Sequence, residues 1–565
     1  MKKSSLMITV LGIIVIATSC GKKNGGNMTE QFKKMVSKHD SIAIPLYKES
    51  AIAYFNASIS GKEEDFKKVL DLQNKLTAIY SDKADFALLK KIKESKEIKD
   101  ELMARQLEVM YNMYLGNQVD TSMLTQINTM QNQIEQKYSN FRAEVNGKKI
   151  SDNDVETILK TSTNSKELEA AWMGHKAVGK VVAGDIIALV KKRNAMAVKL
   201  GFKNYHEMSL KLSEQDPAEI EKLFDELDNL TRDAFVSLKS EMDDYFAKRY
   251  KIKKEELKPW HYQNRFFQEA PRIYTVDFDK YYKTQDVVKV TEKFFNGIGL
   301  PIDDVIKNSD LYEKPGKNQH AYCIDIDNEG DVRVLCNVRN NENWMGTMLH
   351  EYGHAAYDKF IDNKGLPYIL RNPAHTFTTE AIAMFFGRLS TNAQWMQDNI
   401  GLPEKDAKEI AEIGFKQLRL QQIVFSRWSQ VMYRFEKGLY ENPDQDLNAL
   451  WWSLVEKYQM LKKPEGRNEP DWASKIHIAT SPCYYHNYHM GELLASQFTF
   501  YIAKNILKTE DIRNMKITGN AEIGKYFIDK VFKPGARYTW NDMIEKATGE
   551  KLSPKHYAKQ FVDMK

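Results

Sequence analysis

Apolar and polar positions along most of this chain alternate with a helical rather than a strand period. "EEDFKKVLDLQNKLTAIY" (63–80) and "PAEIEKLFDELDNLTRDAFVSLKSEMDDYFAKRY" (217–250) carry apolar residues at helical spacing, with Glu and Lys on the opposite face. Pro217 stands at a helix start behind Asp216, a good cap. From about residue 28 to 250 nearly everything reads as helix, with breaks at "LGNQVDTS" (115–122) and "VNGKKISDND" (145–154). The only strand pattern falls around 320–338. The helical period then resumes to residue 565, interrupted near "DNKGLP", "ENPDQD", "KKPEGRNEP" and "SPCYY". The expectation is a mostly α protein with one small β-hairpin.

Composition narrows the class. The chain has 565 residues, with 42% hydrophobic and 11% aromatic side chains, enough for a large folded core. Lys+Arg number 82 against 77 Asp+Glu, a near balance that leaves no nucleic-acid footprint. No composition shift marks a domain boundary, so a single domain over 28–565 is expected. The first residues, "MKKSSLMITVLGIIVIATSC", join a basic start to an apolar run too short to span a bilayer. Small residues ending at Cys20 resemble a bacterial lipoprotein signal over 1–20, in which the Cys is lipidated. An ordinary secretory signal is the alternative. "GKKNGGN" (21–27) reads as a flexible tether. The expected location is outside the cytoplasm, lipid-anchored to the cell envelope. Cys323 and Cys336 flank a hairpin turning at Asn328-Glu329-Gly330 and fall opposite each other about that turn. A disulfide between them and two free thiols are both compatible with an oxidising compartment.

"NENWMGTMLHEYGHAAYDKF" (341–360) has the apolar spacing of a helix, capped by Asn341 or Asn343. It places His350 and His354 four residues apart, on one face, with Glu351 beside them. Two converging imidazoles with a neighbouring carboxylate form the H-E-x-x-H arrangement of zinc hydrolases. Such sites take a third protein ligand. Tyr357 and Phe360 stand where a metzincin would continue its motif, which excludes that class. The next Glu is Glu380, expected in the first turn of a helix capped by Thr378 or Thr379 and followed by the apolar Ile382, Phe385 and Phe386. His375 is a rival ligand, better suited to supporting the ligands from behind.

Several segments resemble, in order, the angiotensin-converting-enzyme family of zinc peptidyl-dipeptidases. His320-Ala321 followed by Asp325 resembles its strand ahead of the zinc helix, and "LHEYGHAAY" that helix itself. "LPYILRNPAHTFTTEAI" resembles the connection to the third ligand. "WWSLVEKYQML" and "KIHIATSPCYYHNY" resemble its Trp-Trp-Ser-Leu helix and its Lys-x-His segment with a tyrosine pair. "TSTNSKELEAAWMGHKAVGK" is similar to an upstream helix. The resemblance implies a large helical domain with a deep central cleft. It implies that His350, His354 and Glu380 hold one zinc ion and that Glu351 is the general base and then the acid. His477 and Tyr488 would bind the oxyanion, and Lys475 and Tyr485 the substrate's C-terminal carboxylate. His320 and Ala321 would line the peptide. Tyr484 is a substitute for Tyr485, because one extra residue precedes the pair, and Gln263 is expected as the carboxylate-binding Gln.

Departures from the family pattern carry information too. Val455, Asn487 and Lys176 stand where its chloride sites have Arg, so chloride dependence is doubtful. Met384 stands where the family has an Asp behind the ligands. The implied activity is release of C-terminal dipeptides from oligopeptides. Alternatives are a thimet-like zinc oligoendopeptidase, which needs no clamp such as Lys475, and a catalytically silent peptide-binding lipoprotein, which needs no Glu351.

Overall fold

The computed structural model describes residues 27–274 and 276–564. The expected signal segment, Cys20 and the tether up to residue 26 lie outside the described residues. Asn27, the last residue of that tether, caps the first helix by accepting a bond from the Thr29 N–H at 2.8 Å. The two strongest helical patterns fold over the spans predicted, Glu63–Tyr80 and Pro217–Tyr250. Asp216 caps the second, and Pro217 occupies the first turn, where a missing N–H costs nothing.

The long helices Pro217–Tyr250 and Glu404–Glu441 pack together deep in the protein. Their apolar faces join one continuous core that runs from Val119 to Phe561. A buried ion pair, Arg427 with Asp228, crosses between them. Four N-terminal helices, Met28–Ser60, Glu63–Tyr80, Lys83–Ser95 and Glu101–Leu115, bury their apolar residues in smaller clusters. One of these clusters docks on Leu370 and Ala536 of the main body. No helix among the described residues is long and apolar enough to cross a membrane.

The described residues hold two antiparallel hairpins, one more than expected. The first, β1 (Ala143–Val145) with β2 (Lys148–Ile150), lies in the segment read as a plain break. Its signal was present: Asn146 and Gly147 both have positive φ, 52° and 74°, as a two-residue turn with the twist of the strands requires. The second hairpin, β3 (Tyr322–Asp325) with β4 (Val332–Leu335), is the predicted one. The register centres the turn between Asn328 and Glu329, one residue earlier than a Cys323–Cys336 pairing needs, so Cys323 pairs with Val334 and not with Cys336. Moving the centre by one residue moves the pairing by two. The possible Cys323–Cys336 disulfide is therefore corrected: both are free thiols.

Candidate active site

The helix Glu342–Lys359 starts at Asn341, whose side chain accepts from the Trp344 N–H at 2.9 Å. It presents His350 and His354 on one face, their rings 4.9 Å apart and nearly perpendicular. The helix Thr376–Gly387 crosses directly behind it. Close approach is possible because residue 353 is Gly: a Cβ there would lie 2.9 Å from the Ala383 Cα. The crossing brings a Glu380 oxygen to 3.7 Å from His350 Nε2 and 3.9 Å from His354 Nε2. All three ligand atoms lie within 4.8 Å of one another. Tetrahedral zinc with bonds near 2 Å needs its ligands about 3.4 Å apart, so a small inward movement suits this set to the ion.

The electrostatics suit a cation at this point. Burial holds His350 down to about 4, and burial with the neighbouring His350 holds His354 well below the usual imidazole range. Both rings are therefore neutral, as a metal requires. Burial, with the charge of Glu492, pushes Glu380 up to about 7. His354 Nδ1 is 2.7 Å from Thr379 Oγ1. The tautomer that donates there leaves Nε2 as a lone pair facing the centre. Glu351, one residue on from His350, is pushed up to about 8 by burial and then by Glu380.

A second cluster is built on a different part of the chain. Lys475 is buried, and its Nζ donates to Gln268 Oε1 at 2.6 Å. The ammonium also lies over the rings of Phe266, Trp428 and Tyr485, at 5.1, 5.5 and 5.2 Å from their centroids. The Tyr485 hydroxyl donates to the same Gln268 oxygen at 3.4 Å. Burial, and then the charge of Arg265, lowers Lys475 to about 7. His477 stacks edge-on against Tyr485, and Tyr485 in turn against Tyr488, each pair 5.4 Å apart. Burial and then Lys475 hold His477 neutral, at about 4.

The two clusters meet along the helix His486–Ile502. Its Gly491 lets it settle on the Glu380 helix, since a Cβ at 491 would sit 3.2 Å from the Glu380 Cβ. Tyr488, one turn earlier, then falls within the field of Glu380, which adds to burial in raising its hydroxyl. An open cleft of about 530 Å3 is lined by His350, Glu351, His354 and Glu380, together with Ala321, Tyr47, Asp325 and Asp358. Burial pushes Asp325 up to about 7 and Asp358 well above the carboxylate range.

A peptidase M2 family model, described as angiotensin-converting enzyme, matches residues 27–561. The chain belongs to the angiotensin-converting-enzyme family. It is 24% identical over 427 residues to the angiotensin-converting enzyme of Mus musculus, covering 70% of this chain and 32% of that protein. The Sus scrofa enzyme is 25% identical over 428 residues, with the same shares. The Oryctolagus cuniculus enzyme is 28% identical over 271 residues, 46% of this chain and 20% of the relative. The chain spans about a third or less of the length of the curated relatives it matches.

Within this angiotensin-converting-enzyme-like fold, several expected residues change place. Gln263 is not at the Lys475 cluster: its side chain donates to the Lys160 carbonyl at 3.2 Å and accepts from the Arg272 N–H at 2.9 Å. Gln268, five residues on, holds the position, because Gln263 has a positive φ of 59° and the following chain is irregular, so no period carries the register. Tyr485 and not Tyr484 joins Lys475; Tyr484 packs on Tyr488 at 5.2 Å. His375 is no ligand. It caps the Glu380 helix, Nδ1 accepting from the Phe377 N–H at 3.2 Å, and this places Glu380 in the second turn, not the first. Thr379 takes the supporting role expected of His375. Ala321 lines the cleft, whereas His320 is exposed.

Proposed function

We propose that this chain is a zinc peptidyl-dipeptidase. The observation that carries the reading is the buried Lys475 with Gln268 and Tyr485, the last of which immediately precedes the helix whose Tyr488 lies in the field of Glu380, a member of the His350–His354–Glu380 cluster. Zinc, when bound by these three residues, polarises the scissile carbonyl and acidifies water to a pKa near 7. Glu351 takes a proton from the attacking water and passes it to the leaving amine. Neutral His477 and the Tyr488 hydroxyl donate hydrogen bonds to the carbonyl oxygen as it gains charge, each worth about 2–4 kcal/mol. Lys475, which among the described residues has no carboxylate in bonding contact, receives the peptide's terminal carboxylate, and Tyr485 donates beside it.

The test is mass spectrometry of products from peptides with free and amidated C-termini. Successive loss of two residues from free termini is expected, with about 10- to 150-fold lower kcat/KM for the amides. Glu351→Gln should retain zinc and lose turnover. Internal cuts from the start, with equal rates on amides, would make the chain an oligoendopeptidase.

We also propose that Cys20 is lipidated and tethers the chain to the cell envelope. The basic n-region, short apolar run and small residues before Cys20 support this. Incorporation of labelled palmitate that disappears in Cys20→Ala is expected. Equal labelling of both proteins would remove the anchor.

A further inference from the structure

Tyr488 is the third residue of the helix His486–Ile502, and that helix has no side-chain cap at its start. Its first turn is held instead by a residue more than two hundred positions away. Gln215 is 2% exposed, and both ends of its amide are used. Its Oε1 is 2.7 Å from His486 Nε2, and its Nε2 donates to Asn487 Oδ1 at 2.7 Å. The same nitrogen lies 3.6 Å from Met490 Sδ. His486 and Asn487 are themselves buried, at 2% and 4% exposure. One donor pattern satisfies all of them: His486 Nε2–H to Gln215, and Gln215 to Asn487. Burial holds His486 well below the usual imidazole range, so the clamp is neutral, at a place where the family pattern has Arg and this chain has Asn487.

The residue that makes this clamp is itself immobilised. The Gln215 backbone N–H donates to the Leu210 carbonyl at 2.8 Å. The preceding Glu214 is paired with Arg105, one of its bonds being 2.8 Å, and its carbonyl accepts from Trp540 Nε1 at 2.9 Å. Asp216 caps the long helix that follows. The segment is thus tied to three separate parts of the fold.

We propose that Gln215 is a positioning residue that sets the rotation and height of the first turn carrying Tyr488, and so aims its hydroxyl. The inference rests on the reading of Tyr488 as a donor to the developing oxyanion. Gln215→Met keeps the volume and removes both hydrogen bonds, leaving His486 and Asn487 unpaired. An angstrom-scale shift of a donor is expected to cost about 10- to 100-fold in kcat, with KM changed less than about threefold. In a Tyr488→Phe background the same substitution should change kcat less than about twofold, since the hydroxyl it aims is gone. Equal losses in both backgrounds, or no loss in the first, would overturn the proposal. Asn487→Leu breaks only one of the two bonds and gives the same test should Gln215→Met fail to fold. A fluorotyrosine at position 488 separates this inference from the proposed function. Its 19F resonance in the zinc-loaded protein should move or broaden on Gln215→Met whatever the substrate is, and an unchanged resonance counts against the clamp. Full activity of Tyr488→Phe together with a moved resonance would instead refute the catalytic role and leave the clamp standing.

Discussion

Lys475 is a cation that the fold has placed among aromatic rings with, among the described residues, only an amide oxygen to bond. Burial and Arg265 lower it to about 7, so in the free protein it is charged below that pH and increasingly neutral above it. A terminal carboxylate gains from the charged form alone. kcat/KM for free-terminus peptides is therefore expected to fall as pH rises through about 7, approaching tenfold per unit, while amidated peptides lack this limb. The ratio of the two profiles is the measurement, because it cancels every other titrating group. Superimposable profiles would show that Lys475 does not meet the carboxylate. At this scale the sequence was unevenly legible. His350, His354 and Glu351 were readable because a helix turns spacing into geometry. Gln268 was not, because it lies in irregular chain between Tyr262 and Asp279, where spacing carries no direction.

Helix contacts decide the site at the next scale. Neither the histidine helix nor the Glu380 helix can hold a metal by itself, and Gly353 sets their separation. In Gly353→Ala the new Cβ would meet the Ala383 Cα at 2.9 Å, an overlap with backbone that no side-chain rotation relieves. Such overpacking costs about 1–3 kcal/mol. A lower Tm and at least tenfold weaker zinc retention are expected together, measured by thermal unfolding and by elemental analysis after dialysis. Loss of stability with unchanged zinc affinity would mean that the ligands do not depend on this crossing. The hairpins belong to this scale too. Asn146-Gly147 announced a turn whose strands are only three residues each, too short for an alternating pattern to stand out.

Across the whole molecule, the positions where the family places chloride-binding Arg are filled without a free cation. Val455 is buried and apolar. Asn487 is occupied by Gln215. Lys176 is buried, donates to Ser474 Oγ at 3.1 Å, and rests 3.7 Å above the Phe266 ring. Burial drives it far below the usual lysine range, so its positive charge is weakly held. Activity is expected to change less than about twofold between chloride-free buffer and 0.15 M chloride at constant ionic strength, a comparison that removes general screening. A several-fold rise on adding chloride would show that an anion is still bound.

The sequence by itself determined what is local. Helical spans such as Glu63–Tyr80 and Pro217–Tyr250, the Asp216 cap of the second, the histidine pair on one face and the order of the family motifs all follow from short-range periodicity and residue chemistry. Only the tertiary structure decided what depends on distance across the fold. It placed Tyr485 and not Tyr484 beside Lys475, drew Gln268 in place of Gln263, set Thr379 behind His354, and left Cys323 and Cys336 unbonded. It also joined Gln215 to Asn487 across 272 positions. The physical reason is that helix period relates residues up to a few turns apart, whereas these pairings depend on how helices cross. Crossing is set by small residues such as Gly353 and Gly491, whose effect appears only when another backbone lies against them.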